Sequence, residues 1–231
     1  MHLRKIGLLV VVSCVLGADA GAQRRAARTA PEDIELYARL MAMTDARGLD
    51  MPLVDRALAR KWRPLRAAAA LAIGQVGAEV GMDGAPLLRS LLRDSDTGVA
   101  ANSAYALGLL RDSLAVADLT AALDSDAEVA REAAWALGEI GAPASAAIVS
   151  GLVPTRAADV TIQLLLAAAK LRPVPLLQIE QYLRNDNAAV VWAAAYALAR
   201  TRVPGGVRSL IELEESPHLA VRPLVASRSF P

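Results

Sequence analysis

Aromatic side chains are scarce in this sequence, in which Phe, Trp and Tyr together make up 3% of the 231 residues. Hydrophobic residues nevertheless account for 55% of the chain, so the apolar content is mostly Ala, Leu and Val. Sheets favour β-branched and aromatic residues, whereas alanine is the best helix former and lets neighbouring backbones approach closely. The composition therefore favours tightly stacked helices over a β-sheet.

Cysteine and histidine are almost absent: the chain has only Cys14, His2 and His218. These residues are too few for a zinc site, a disulfide framework or a catalytic triad. The glycine motifs that bind nucleotide phosphates, G-x-x-x-x-G-K-[ST] and G-x-G-x-x-G, do not occur either. We therefore expect no catalytic residue, metal or cofactor in residues 23–231, and we interpret His218 as an ordinary surface residue.

The chain also lacks an excess of either charge, with 25 basic residues (Lys and Arg) and 24 acidic residues (Asp and Glu). Proteins that neutralise nucleic-acid phosphates carry a clear basic surplus. Nucleic acid is therefore not expected as a partner.

Residues 1–22 have the organisation of a secretory signal peptide. Arg4 and Lys5 precede an apolar stretch from Ile6 to Leu16, and small residues follow up to Ala22. The apolar stretch is short for a membrane span, so we expect cleavage after Ala22 and export to the periplasm or the medium. Residues 23–30, rich in arginine, are expected to form a flexible leader.

An alternative for the same segment is lipidation. The sequence VVSC at residues 11–14 resembles a bacterial lipobox, in which Cys14 would carry the lipid and anchor the protein to a membrane. The apolar run before Cys14 is short for that purpose, and a good Ala-Gly-Ala cleavage site follows it. We therefore favour cleavage after Ala22.

From about residue 50 onward, one pattern recurs every 30 to 34 residues. Its marker is an apolar residue near the start of a helical stretch, found at Leu65, Val99, Val129, Val160, Val190 and Val221. The seventh residue after the marker is alanine in the five full repeats: Ala72, Ala106, Ala136, Ala167 and Ala197. Apolar residues four, seven, eight and eleven positions after the marker share one helix face, and the alanine lets a neighbouring helix pass close by.

Acidic and amide residues mark the starts of these helices. The segments 94–96 and 124–126 both read DSD, and 185–187 reads NDN. Their side-chain oxygens can accept hydrogen bonds from the first free N–H groups of a helix. Ser125 and Glu128 also have the spacing of a capping box.

A second, shorter helix is predicted between successive markers, at 51–60, 85–94, 114–123, 144–153, 173–183 and 205–215. Residues 31–47 form a predicted lead-in helix. Self-similarity at this period indicates a stacked array with one continuous core. The predicted fold is therefore all-α: an α-solenoid of about six helix–turn–helix repeats within residues 31–231.

Three segments carry a resemblance to a known family: LRAAAALAIGQVG (65–77), VAANSAYALGLLR (99–111) and VAREAAWALGEIG (129–141). They resemble the short HEAT-like repeats of the phycobilisome-lyase type, over about residues 50–230. The resemblance implies the fold but no particular function, since such arrays serve many tasks. Family members often carry arginine just after the marker, and here only Arg66 and Arg222 do. Some HEAT-like proteins are iron-dependent hydroxylases with His-Glu pairs, which this sequence lacks.

The candidate functional residues stand six positions after each marker. They form a predicted ladder of large side chains: Leu71, Tyr105, Trp135, Leu166 and Tyr196. Large rings among polar residues are typical of protein-binding surfaces. Alternatively, the same side chains fill gaps between adjacent repeats, because large apolar residues are more often packed than displayed. Trp62 and Trp192, outside this column, are predicted to be packing residues.

We therefore interpret the chain as an exported, non-enzymatic scaffold that binds an unidentified protein through its repeat surface. An alternative is the N-terminal scaffold of a longer exported enzyme, for example a cyclophilin-type peptidyl-prolyl isomerase. It is suggested by the sixth repeat, which starts at Val221 and is interrupted by Pro223 and Pro231. A third hypothesis, implied by the resemblance, is an assembly factor for an enzyme subunit, although export argues against it.

We expect the intact mass of protein purified from the cell envelope or the medium to equal that of residues 23–231, because the signal peptide is removed. A chain that starts at Cys14 and carries acyl groups would instead establish lipidation. A substantially larger mass would favour the longer enzyme.

Overall fold

The computed structural model describes residues 30–80 and 84–214, and within them it contains α-helices and short 3₁₀ segments but no strand. The helices are α1 (Pro31–Asp45), α2 (Met51–Leu58), α3 (Arg63–Val80), α4 (Ala85–Leu91), α5 (Thr97–Leu110), α6 (Val116–Ala122), α7 (Ala127–Ile140), α8 (Ser145–Gly151), α9 (Ala158–Ala168), α10 (Leu176–Glu180), α11 (Ala188–Thr201) and α12 (Pro204–Glu214). The predicted all-α fold is confirmed.

The helices form two layers. The long helices α3, α5, α7, α9 and α11 pack side by side in chain order, and the short helices α2, α4, α6, α8 and α10 each pack against the long helix that follows. The lead-in helix α1 packs against α2 and α3. This is the arrangement of a solenoid, in which each helix pair contacts mainly its neighbours.

One short helix is smaller than predicted. The sequence predicts a helix over 173–183, whereas α10 begins only at Leu176 and continues as a 3₁₀ segment from Gln181 to Arg184. Pro173 and Pro175 lack an N–H group and disfavour helical geometry in the residue before them. The helix therefore begins after both prolines.

Polar caps begin the long helices where the sequence predicts them. Asp96 Oδ1 accepts a hydrogen bond from the Val99 N–H at 3.1 Å, and Asn187 Oδ1 accepts one from the Ala189 N–H at 2.9 Å. The predicted capping box of Ser125 and Glu128 is wrong. The N-cap is Asp126, whose Oδ1 accepts from the Glu128 N–H, so Glu128 is the second residue of α7 and lies one position too early to complete the box.

The predicted alanine column lies in the core, where all five alanines are buried. Ala106, Ala136 and Ala167 face a glycine of the preceding long helix, at Gly74, Gly108 and Gly138 respectively. A Cβ atom added to Gly108 would lie 2.8 Å from the Ala136 Cα, and one added to Gly74 would lie 2.5 Å from the Ala106 Cα. The backbones of successive long helices therefore meet at glycine–alanine contacts that leave no space for another methyl group.

Arginines link successive repeats at the N-terminal ends of the long helices. Arg66, just after its marker, forms an ion pair with Asp94 of the next repeat. Arg156 Nη1 donates to the Leu123 carbonyl oxygen at 2.5 Å and to Asp124 Oδ1 at 3.1 Å, while its Nε donates to the Gly151 carbonyl oxygen at 2.8 Å. Arg156 therefore joins two repeats although its position is not the one expected from the family. Arg222 and the sixth marker, Val221, lie outside the described residues.

We predict that Gly108→Ala lowers the free energy of unfolding by about 2 kcal/mol, because the added methyl group overpacks the α5–α7 contact. The measurement is urea unfolding followed by circular dichroism at 222 nm. Gly206→Ala is the matched control, because a Cβ there would meet nothing closer than 3.4 Å. Since alanine favours helix, the control should be neutral or slightly more stable. Equal destabilisation by both substitutions would contradict the importance of the contact.

Candidate protein-binding surface

The five ladder residues lie on the long-helix layer, one on each of α3, α5, α7, α9 and α11. All five are half-buried: Leu71, Tyr105, Trp135, Leu166 and Tyr196. Polar residues four positions further on, such as Gln75, Lys170 and Arg200, are exposed on the same stripe. The structure thus places the predicted ladder in one row across successive repeats, partly packed and partly open to solvent.

Two ladder residues are in direct contact. The rings of Tyr105 on α5 and Trp135 on α7 stack with centroids 4.3 Å apart and an interplanar angle of 22°. Gly108 makes room for the indole, since a Cβ there would lie 2.6 Å from Trp135 Cζ3. Trp135 therefore fills space between two repeats with one part of its ring and keeps another part accessible. At Trp135, filling the gap between repeats and partial exposure to solvent therefore occur together.

Ion pairs flank Trp135 along α7. Arg131 Nη2 donates to Glu132 Oε1 at 2.8 Å, and this hydrogen bond raises the pKa of Arg131 above its ordinary value. On the other side, Lys170 Nζ of α9 donates to Glu139 Oε1 at 2.6 Å. The charges beside the indole are thus mutually compensated, and one of the pairs also joins α7 to α9.

The prediction for Trp192 is wrong, whereas that for Trp62 agrees with the structure. Trp62 is half-buried and contacts Tyr37, with ring centroids 5.6 Å apart. Trp192 is 42% exposed and stacks on Tyr196 of the same helix, with centroids 5.3 Å apart and an interplanar angle of 9°. In the sequence, the spacing of four residues between Trp192 and Tyr196 indicates that their rings can stack, because residues four apart lie on one helix face.

Other kinds of site find little support in residues 30–80 and 84–214. Within these ranges, no group of His, Cys, Asp or Glu side chains is arranged to hold a metal ion. Cys14 and His218 lie outside these ranges. One open groove lies between α1 and α2, and another lies beside residues 171–175, both away from the ladder. No described helix has both the length and the apolar character needed to cross a membrane.

Comparison with known proteins identifies the repeat. The model of HEAT repeats matches residues 51–134 and 85–170, which together span more than half of the chain. The chain belongs to the HEAT-repeat family. The family-level prediction from the sequence is therefore confirmed, and no curated protein matches this HEAT-repeat chain.

Among the solved structures that are similar to the chain are two of low sequence identity. One is the complex of CpcE and CpcF of phycocyanin lyase from Nostoc sp. PCC7120, with 22% identity, a TM-score of 0.56, and 77% of this chain and 74% of that chain covered. The other is human deoxyhypusine hydroxylase in complex with glycerol, with 17% identity, a TM-score of 0.37, and coverage of 81% and 86% respectively. The first similarity supports the solenoid fold.

We predict that the Tyr105–Trp135 stack and the Trp192–Tyr196 stack differ in their contribution to stability. Trp135→Ala should lower the free energy of unfolding by about 2 kcal/mol, because it removes an inter-repeat stack and opens a gap above Gly108. Trp192→Ala should cost less than about 1 kcal/mol, because it loses contacts mainly within one helix. Urea unfolding of both variants tests this difference. A larger loss for Trp192→Ala would mean that α11 is covered by a further part of the chain.

Proposed function

We propose that this chain is an exported, non-enzymatic HEAT-repeat scaffold that binds another protein through its ladder surface. The observation that carries the proposal is the row of five half-exposed large side chains, one on each successive long helix. The neighbouring alanine column is fully buried, whereas each of these five side chains keeps part of its surface open to solvent. Large rings that remain accessible on a rigid layer are typical anchors of protein interfaces.

The binding mechanism is contact with several repeats at once on a preformed surface. The glycine–alanine contacts hold the long helices close together, so little ordering of the backbone is required on binding. Trp135 and Tyr105 supply the central apolar area, and the surrounding ion pairs form a polar rim. Rim charges of this kind favour a correct orientation more than they increase affinity.

Two parts of the proposal, export and a role without catalysis, are based on the sequence. The signal-like segment 1–22 supports export, and the scarcity of histidine and cysteine supports a role without catalysis. The similar phycocyanin lyase structure is itself a complex of two proteins, CpcE and CpcF. It is one example of a related solenoid in a protein assembly, and it supports binding rather than a particular partner.

The proposal is tested by purifying tagged full-length protein from the cell envelope and quantifying the proteins that accompany it after cross-linking. We expect Trp135→Ala to reduce recovery of the specific partner about tenfold, because a central aromatic anchor is removed. Leu166→Ala should reduce recovery less. Binding is measured well below the melting temperature of each variant, so that loss of folded protein does not imitate loss of binding.

The matched control is Leu177→Ala, because Leu177 is 77% exposed but lies on α10 in the short-helix layer. It should leave recovery unchanged. If wild type and both ladder variants recover every accompanying protein equally, the ladder is not the binding surface and the proposal is wrong.

A further inference from the structure

The contact between α9 and α11 differs from the contacts between the earlier long helices. We call the contact of α8 and α9 with α10 and α11 the α9–α11 boundary. In α3, α5 and α7 the residue nine positions after the marker is the glycine of a glycine–alanine contact, whereas after α9 it is Ala169. Because Ala169 carries a Cβ atom, a neighbouring backbone cannot approach it as closely as it approaches the glycines.

The helices at this boundary are also short. Helix α9 has 11 residues and ends at Ala168, whereas α5, α7 and α11 have 14 residues each. Residues 169–175 connect α9 to α10, and Pro173 and Pro175 delay the start of α10. Only Gly141 separates α7 from the 3₁₀ turn that leads into α8. The α9–α11 boundary therefore has less regular structure to pack across it.

A groove opens on the short-helix side of the same boundary. It has a volume of about 500 Å³ and lies between α8 and residues 171–178. Its walls include Ala146 and Val149 on α8 and Val174 on the facing segment. The short helices α8 and α10 therefore do not close on each other along this part of their length.

Polar side chains link the earlier repeats to one another. Asn102 Nδ2 on α5 donates to a main-chain carbonyl oxygen of α3 at 2.9 Å. Arg93 Nη2, just after α4, donates to Asp118 Oδ1 of α6 at 2.7 Å. Lys170 Nζ, just after α9, donates to Glu139 Oε1 of α7 at 2.6 Å. Among the residues that the structure describes, no side-chain hydrogen bond or ion pair crosses the α9–α11 boundary.

A buried tyrosine at the boundary does not supply such a link. Tyr182, in the 3₁₀ segment after α10, is 3% exposed, and its hydroxyl group has no hydrogen-bond partner in the described part of the chain. Burial raises the pKa of Tyr182, and the charge of Arg156, just before α9, opposes this rise. The guanidinium group of Arg156 bonds instead to α8 and to the repeat before it. The two side chains are therefore close enough to interact but are not joined.

We propose that the solenoid bends at the α9–α11 boundary, with α1–α9 moving as one body and α10–α12 as another. Hydrogen bonds weaken when their geometry changes, whereas apolar contacts are not directional. A boundary that has only apolar contacts and no glycine–alanine contact can therefore tilt at a lower cost in free energy than its neighbours, as hinges between packed elements do.

The hinge divides the ladder. Leu71, Tyr105, Trp135 and Leu166 lie on the larger body, and Tyr196 lies on the smaller one. Bending would change the position of Tyr196 relative to Trp135 and would leave the stack of Tyr105 on Trp135 intact. The inference concerns the free protein and goes beyond the proposed function, because it holds whether or not the ladder binds a partner.

The test measures distances between pairs of spin labels by double electron–electron resonance in the free protein. Cys14, the only cysteine of the chain, is replaced by serine, and cysteines are introduced at exposed positions. The pair Ala121→Cys and Gln181→Cys spans the α9–α11 boundary. The matched control pair, Ser90→Cys and Ser150→Cys, is equally far apart in sequence but lies within the larger body. We expect the distance distribution of the spanning pair to be about twice as broad as that of the control pair.

A third pair, Gln181→Cys and Arg208→Cys, lies within the smaller body, where Ser209 links α12 to Glu180 of α10. Its distance distribution should be as narrow as that of the control pair. The proposal is overturned if the spanning pair is no broader than the control pair. It is also overturned if the third pair is as broad as the spanning pair, because the motion would then belong to the segment around Gln181.

Discussion

The close packing of alanine on glycine between successive long helices is the contact on which the rest of this structure depends. At Gly74, Gly108 and Gly138 the facing helix lies so near that even one methyl group would overlap it. Because the backbones meet there, larger side chains of the long helices have to lie on either side of the contact, as Trp135 does above Gly108. The same packing that closes the core therefore places a row of large side chains partly in solvent.

The fold could be predicted from the sequence because its determinants are local and repeated. The period, the alanine column and the acidic caps each occur several times, so every repeat supports the same register. The glycines opposite the alanines were missed because their function depends on a contact between different repeats. The capping box failed for a smaller reason: Asp126, rather than Ser125, begins α7, and a shift of one residue removes the required spacing.

The candidate surface was harder to predict, since exposure depends on what lies beside a helix as well as on its own sequence. The column that contains Tyr105 and Trp135 was identified from spacing, but only the structure shows that these rings contact each other and are half-buried. Trp192 was predicted to be a packing residue because large apolar side chains are more often packed than exposed. In the structure its ring is 42% exposed and stacks on Tyr196 of the same helix.

The long helices differ in their charged and aromatic residues, and this difference can restrict a partner to one binding register. Successive repeats are nearly equivalent by translation, so a purely apolar ladder would offer similar contacts in several registers and in both directions. Here Trp135 lies among paired glutamates, whereas Trp192 and Tyr196 lie beside Arg200 with no acidic residue on their helix. A partner shifted along the array would meet different side chains on each long helix, and the loss of matched contacts would oppose that register. The small differences between repeats, rather than the features they share, would then determine specificity.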